Sequence, residues 1–265
     1  MPPTTSPPAM PDPAAAARDP QHSALQHALD SSSGRTTRIA LDGQECWLKR
    51  REELSLRWRL QKGDPRRAFE RERAALQLLG AQGQPVPPLL AQGEDYFVIG
   101  DCGTSLARML RSTDNPGTDR EAVLRAAGHA LAQLHGAGVA HGRPSVKDIC
   151  HRDGRVAFID FERFVPPPAP LAALRNDLLI FVSSAYAFAQ HDAPEIAAAC
   201  SAYRDRAPDG VWEAASRLCR RLRWIDGLTR PLQRREARRH PHRACKEFGA
   251  IPLTLRCFGA RDASP

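Results

Sequence analysis

Strand signals concentrate in the first hundred residues of this 265-residue chain, and long helical signals dominate the remainder. Arg38-Ile-Ala-Leu41, then Asp42-Gly43, then Gln44 to Lys49 reads as a β-hairpin, because Asp-Gly accepts the positive φ that a two-residue turn demands. Tyr96 to Ile99 is a short apolar strand, and Val156 to Ile159 is a later one, set off by an Asp153-Gly154 turn. Phe69 to Leu79 reads as a helix with Phe69, Ala75, Leu76 and Leu79 on one face and charges opposite. Asp119 to Gly136 reads as a second helix, carrying Val123, Ala127, Ala130, Leu131 and Leu134 at helical spacing. From Leu171 the chain reads as helical to about Leu232. Segregation of this kind predicts an α+β fold of two lobes, a small strand-rich one and a helical one.

Composition sets the expected divisions. Residues 1–22 hold seven prolines and an Ala run, a composition that cannot bury enough apolar surface to offset ordering, so a disordered tail is expected there. Residues 23–100 form the first lobe and 101–265 the second, with a connector near 100–105. Hydrophobic residues at 42% and charged residues at 26% fit a chain that folds around a core. No run of 18 uncharged apolar residues occurs, so no transmembrane helix is expected; the longest apolar run, Leu178 to Ala189, is too short. The start lacks the basic and apolar regions of a signal peptide, which predicts a cytoplasmic protein. Seven scattered cysteines without a Cys-x-x-Cys pair argue for reduced thiols rather than a zinc site or disulfide framework.

Charge is unevenly placed. Residues 217–246 carry eleven Lys and Arg against Asp226 and Glu236, a local balance of +9 within a total of +8. The remainder of the chain is therefore close to neutral. Such a segment attracts phosphate, on nucleic acid, on an anionic lipid surface or on a small substrate; a solvated helix face has the same composition. Few aromatics accompany it, which disfavours nucleic acid as the partner. Peripheral membrane contact through 217–246 stays open. If the stretch is helical, Arg234, Arg235, Arg238 and Arg239 pair up at i, i+4 spacing, and they are expected to face an acceptor.

Four separated positions form an ordered set: Lys49 ending a strand, Glu72 on the next helix, His141 opening His-Gly-Arg-Pro-Ser-Val-Lys-Asp148, and Asp160 ending an apolar strand as Phe-Ile-Asp160-Phe-Glu162. The eight residues from His141 to Asp148 have the length of the kinase H-R-D-x-x-x-x-N loop, and Asp160 stands where the D-F-G aspartate comes next. On these residues, with Pro85-Val-Pro87, Leu134-His-Gly-Ala-Gly-Val-Ala-His141 and Asn176-Asp177, the stretch 36–185 resembles the protein-kinase-like superfamily. Within it, the chain is most similar to the bacterial lipopolysaccharide kinases that phosphorylate heptose or Kdo sugars.

The resemblance implies a nucleotide-binding first lobe and transfer of the ATP γ-phosphate, with Mg²⁺, to a hydroxyl of a sugar or lipid-linked acceptor. Lys49 would meet the α/β-phosphates, oriented by Glu72, with Glu70 as the other partner in reach. Asp160 would ligate Mg²⁺, Asp148 would be a second oxygen ligand, and Asp101 to Gly103 would form the hinge beside adenine. Asp177 would brace the catalytic loop, which includes His141, Arg143 and Lys147. Three departures stand out. Ser31-Ser-Ser-Gly34 is all that occupies the place of a glycine-rich phosphate loop. Glu162 replaces the glycine of D-F-G. Arg143 occupies the catalytic-base position, and a guanidinium accepts no proton at neutral pH. His151-Arg152-Asp153 spells the kinase tripeptide but reads as a hairpin turn. A pseudokinase that binds without transferring phosphate is the alternative expectation.

Overall fold

The computed structural model describes residues 20–31, 34–51, 64–112, 119–189, 193–239 and 247–259. The fold is α+β, and it divides into two compact units, the first made of residues up to Glu53 and of Leu89–Asp101, the second of Leu54–Pro88 and of residues from Cys102 onward.

The first unit opens with a helix, α1 (Pro20–Ser31), followed by strands β1 (Thr36–Leu41) and β2 (Gln44–Arg50). These two pair antiparallel through a turn in which Asp42 and Gly43 both have positive φ, at 50° and 74°. Both backbone values match the right-handed twist of the strands, which is why Asp-Gly stands there. Strands β3 (Leu89–Gln92) and β4 (Tyr96–Gly100) complete a sheet in the order β1-β2-β4-β3. Alternation sends Cys46, Leu48 and Val98 to one face, fully buried, where Leu25, Ala28 and Leu29 of α1 pack on them. Lys49 points to the other face, paired in register with Phe97, and its ammonium lies 6.0 Å from the Phe97 ring centroid. The helix α1 corrects the expected extent of the tail, since residues 20–22 are helical. It also accounts for Ser31, whose hydroxyl donates to the His27 carbonyl at 2.7 Å and so belongs to the last turn of a helix. Residues 32 and 33 of the serine run, the rest of the tail to residue 19, and Trp58 lie outside the described residues.

The second unit holds α2 (Pro65–Ala81), the three-stranded sheet β5 (Thr104–Ser105), β6 (Ile149–Arg152) and β7 (Arg155–Phe158), and helices α3 (Leu106–Arg111), α4 (Arg120–Gly136), α5 (Leu171–Phe188), α6 (Pro194–Arg204), α7 (Val211–Leu222), α8 (Trp224–Arg239) and α9 (Glu247–Gly259). Helicity thus continues past the expected end near Leu232. The helix α2 groups with this unit, where the sequence alone assigned it to the first lobe. It starts where Asp64 accepts from the Arg66 amide at 3.0 Å and Pro65 occupies the first turn. Its buried face is Phe69, Glu72, Ala75, Leu76 and Leu79, so one carboxylate joins the apolar face. His151-Arg152-Asp153 falls on the end of β6 and the Asp153-Gly154 turn, as read from the sequence.

The helix α5 is long and apolar enough to cross a bilayer by length and composition, although it is no run of uncharged residues. It carries Arg175 and Asp177, however, and Asp177 is 1% exposed inside the fold. Leu174, Leu178, Phe181, Val182 and Ala185 are buried with it, as expected of a core helix.

Helices α4 and α6 approach so closely at Gly128 that a Cβ there would sit 2.2 Å from the Ala199 carbonyl oxygen. Gly128→Ala is therefore expected to destabilise the protein by about 1–3 kcal/mol, the usual cost of overpacking. Gly136→Ala, on the same helix with nothing within 4 Å of the added methyl, should be neutral or stabilising. Urea unfolding of both variants distinguishes a packing requirement from a general intolerance of change in α4.

Candidate active site

The segment from His141 to Asp148 is a loop held at two points by one helix. The Asp177 carboxylate on α5 accepts from the His141 amide at 2.6 Å and from the Gly142 amide at 3.0 Å. Two turns further along α5, the Ser184 hydroxyl accepts from the Val146 amide at 3.0 Å. The first contact requires glycine at 142, where φ is +92° and a Cβ would lie 2.2 Å from the Arg163 carbonyl oxygen. The far end of the loop is tied to the exit of strand β7: Ile159 donates its amide to the Asp148 carbonyl at 2.9 Å.

His141 lies between loop and strand. It is 1% exposed and its ring packs on Phe161 at 4.5 Å between centroids. The Ile159 carbonyl, 2.9 Å from Nε2, can only accept, so Nε2 carries the proton. Nδ1 is then the acceptor for the Arg143 amide at 3.3 Å. Burial lowers its pKa, against the pull of Asp177, so the ring is neutral. Both ring nitrogens of His141 are thus engaged inside the protein, one on the exit of β7 and one on the loop itself.

Asp160 comes after β7 with φ +67°, a left-handed conformation uncommon outside glycine but tolerated by aspartate. Such strain concentrates where a side chain has to be aimed. The Asp160 carboxylate is 3.5 Å from Nη2 of Arg143, and the Asp148 carboxylate is 4.0 Å from the same nitrogen. Two acidic groups separated by twelve residues thus converge on one guanidinium. Arg143 is half exposed, whereas Asp148 and Asp160 are largely covered.

A second convergence has no counterpart in the sequence reading. Glu72, Asp160 and Glu162 each place a carboxylate oxygen within 4.8 Å of the others. Glu72 is buried and the other two are half-buried. The available signal is the i, i+2 spacing of Asp160 and Glu162 after the strand, which in the sequence reads only as a departure from D-F-G. The donor set is hard oxygen throughout, which fits Mg²⁺ rather than a soft transition metal.

The remaining candidates are dispersed over both units. Lys147 is exposed and its ammonium lies 5.3 Å from the Phe188 ring centroid. Together with Arg143 and Asp148 it lines a cavity of about 580 Å³ whose walls include Leu179, Ile180 and Leu255. Asp101 belongs to the first unit, where it accepts from the Trp47 indole at 3.1 Å and donates its amide to the Glu45 carbonyl. Trp47 is thus more than a packing residue. Gly103 belongs to the second unit; its φ is +87° and a Cβ would meet the His151 carbonyl oxygen at 2.4 Å. Lys49 is in the first unit, and Glu72, Asp148 and Asp160 are in the second. Arg234, Arg235 and Arg238 line a separate hollow of about 440 Å³. The side chain of Arg239 lies outside the described residues.

No family model matches the chain. A 121-residue stretch is 32% identical to an uncharacterized protein of Haemophilus influenzae, covering 46% of this chain and 50% of that one. The chain thus spans about half the length of the curated relative it matches. Among solved structures, the chain is similar to WaaP in complex with acyl carrier protein, at 20% identity and TM-score 0.46 over 83% of this chain and 92% of that one. It is also similar to WbdD crystallised with a kinase inhibitor, at 17% identity and TM-score 0.46 over 67% of this chain and 45% of that one. A structure of the bifunctional kinase-methyltransferase WbdD matches at 17% identity and TM-score 0.44, over 66% and 44%.

Two predictions concern the loop. Asp177→Ala leaves the buried His141 amide and the half-buried Gly142 amide without their acceptor, and a buried amide left unpaired costs about 1–3 kcal/mol. Urea unfolding should show a loss of at least about 2 kcal/mol. The second concerns pH. The folded pKa of His141 lies below its ordinary value of 6.5, so the unfolded chain binds the proton more readily. The contribution of this group is complete above pH 6.5 and is lost as pH falls below it toward the lowered folded value. His141→Asn should flatten the slope of stability against pH in that acidic window.

Proposed function

We propose that the protein is an ATP- and Mg²⁺-dependent phosphotransferase of the protein-kinase-like type, acting on a hydroxyl acceptor. The observation that carries this reading is the convergence of Asp148 and Asp160 on one cationic group, with Asp160 aimed by a left-handed backbone and the loop held by Asp177. A constellation that brings two carboxylates from a loop and a strand end to one cation suits a metal–phosphate ligand.

In this reading Asp160 and Asp148 hold Mg²⁺, with Glu72 or Glu162 as further oxygen donors near Asp160. Bound there, the ion would neutralise charge on the β- and γ-phosphates. Lys49 would meet the α/β-phosphates through its ammonium. Asp101 and Gly103 belong to the segment beside the adenine. Arg143 stays charged at every working pH and so serves the transferred phosphoryl group electrostatically, with Lys147 behind it. Phosphoryl transfer passes through a loose transition state and depends mainly on positioning and charge, so a loop without a carboxylate base at position 143 still supports turnover. The sequence resemblance favours a lipopolysaccharide core sugar as the acceptor.

One observation favours a second reading, a binding module without turnover. Arg143 already neutralises both carboxylates that the metal would need. Thermal shift with Mg·ATP, then assay of γ-phosphate release and transfer, separates the two.

Asp160→Asn is expected to abolish the Mg²⁺-dependent part of the ATP-induced shift. Arg143→Ala should keep that shift and lower turnover by about 10²-fold or more, the size expected when a charge-stabilising group is removed. Absence of any Mg·ATP shift in the unaltered protein would overturn the phosphotransferase reading, and a shift without turnover would favour the binding module.

A further inference from the structure

The helix α8 presents two chemically different sides. The polar groups on its inner side are satisfied within the helix itself. Thr229 donates to the Ile225 carbonyl at 2.8 Å, and the Gln233 amide donates to Thr229 Oγ1 at 2.9 Å and to an Asp226 carboxylate oxygen at 3.2 Å. Ile225 itself lines the cavity that Arg143 and Asp148 share. The outer side carries Trp224, Leu228 and Leu232, at 61%, 68% and 41% exposure. Spacing of four places them on one stripe, extending about 12 Å along the axis at 1.5 Å per residue. They are half of the large hydrophobic side chains exposed among the described residues.

Exposed cations stand at both ends of this stripe: Arg220, Arg221 and Arg223 before it, Arg234, Arg235 and Arg238 beyond it. The acids nearby do little to offset them. Asp226 is engaged by Arg230 at 3.5 Å, and Glu236 is the one other acid in the helix. An apolar stripe with an indole at one end, bounded by arginines, is the arrangement of a helix that lies in the plane of a bilayer interface. Its side chains enter the boundary of the hydrocarbon while guanidinium groups meet lipid phosphates bidentately. Duplex nucleic acid offers phosphates to the same arginines but no partner for Leu228 and Leu232.

We propose that α8 docks the protein on an anionic bilayer surface, with Trp224, Leu228 and Leu232 inserted and the flanking arginines on the headgroups. The proposal stands independently of phosphate transfer. It also explains why a helix rim with six arginines retains exposed leucines, which an ordinary solvated face has no reason to carry. Docked in this way, the inner side of α8 would bring the cavity beside Arg143 close to membrane-borne molecules.

The test is flotation of the full chain with phosphatidylcholine vesicles, with and without phosphatidylglycerol, at low and high salt. The expected result is binding only to the phosphatidylglycerol vesicles, weakened by salt, with a blue shift of tryptophan emission that is lost in Trp224→Phe. Leu228→Glu with Leu232→Glu should reduce binding by about tenfold or more, through loss of inserted apolar area and added repulsion. Reversing Arg234, Arg235 and Arg238 to Glu should remove it at low salt. Because all five positions are exposed, circular dichroism and thermal unfolding should match the unaltered protein. Absence of vesicle binding by the unaltered protein, or undiminished binding by the folded Leu228/Leu232 variant, overturns the proposal. Salt-dependent binding to duplex DNA in place of vesicles, unaffected by the leucine changes, also overturns it and assigns the face to nucleic acid.

Discussion

One buried carboxylate organises the candidate site. Asp177 sits 1% exposed on α5 and accepts the amides of His141 and Gly142. A buried carboxylate has to be compensated, and here much of that compensation is loop backbone. The cost of burying the charge thereby becomes the force that fixes where the loop begins. Everything later in the loop inherits this: the neutral His141 bridging to Ile159, the amide of Ile159 on Asp148, and the approach of Asp148 and Asp160 to Arg143. The helix that supplies Asp177 is apolar enough to resemble a membrane span, and the face it buries in the second unit, Asp177 included, is the one that carries the loop.

The site is built from short-range geometry enforced by long-range contacts. Left-handed backbone at Gly142 and Asp160 occurs where the chain turns sharply beside another strand or loop. At Gly142 the reason is visible as a missing Cβ against the Arg163 carbonyl. At Asp160 the strained residue is also the one whose carboxylate takes part in both acidic convergences. Electrostatics then divide the labour. Arg143 is a permanent cation, and it lies against two carboxylates that would otherwise repel. Any ligand that brings its own cation has to exchange with it or share the carboxylates around it.

Much of this is legible in one dimension. The Asp-Gly turns, the strand Val156 to Ile159, the helix capped by Asp119 and the order Lys49, Glu72, His141, Asp148, Asp160 depend on local propensity and on spacing along the chain. Those are properties that a sequence states directly. Three features are not, for physical reasons. The fold brings Glu72 to Asp160 and Glu162, a meeting of residues about ninety positions apart that no helical or strand period encodes. His141 has the type and position of a catalytic residue, and only the fold shows it buried with its ring nitrogens on Ile159 and the Arg143 amide. The tail and the serine run hide the helix α1, because its amphipathic pattern is weak and its reason for forming is the sheet face of Cys46, Leu48 and Val98 beneath it.

The basic segment shows the same boundary from the other side. Composition alone locates eleven cations within thirty residues, and helical spacing alone pairs Arg234 with Arg238. Neither can say which side of the helix the core takes. Leu228 and Leu232 are ordinary core residues by type, and only the fold shows that they face outward, while Ile225 on the neighbouring side of the helix lines a cavity. The sequence by itself determined the α+β class, the turns, and the identity and order of the charged groups, because these depend on each residue's chemistry and its near neighbours. Tertiary structure decided which carboxylates meet, which histidine is buried and which leucines face out, because those depend on burial, and burial belongs to the whole fold.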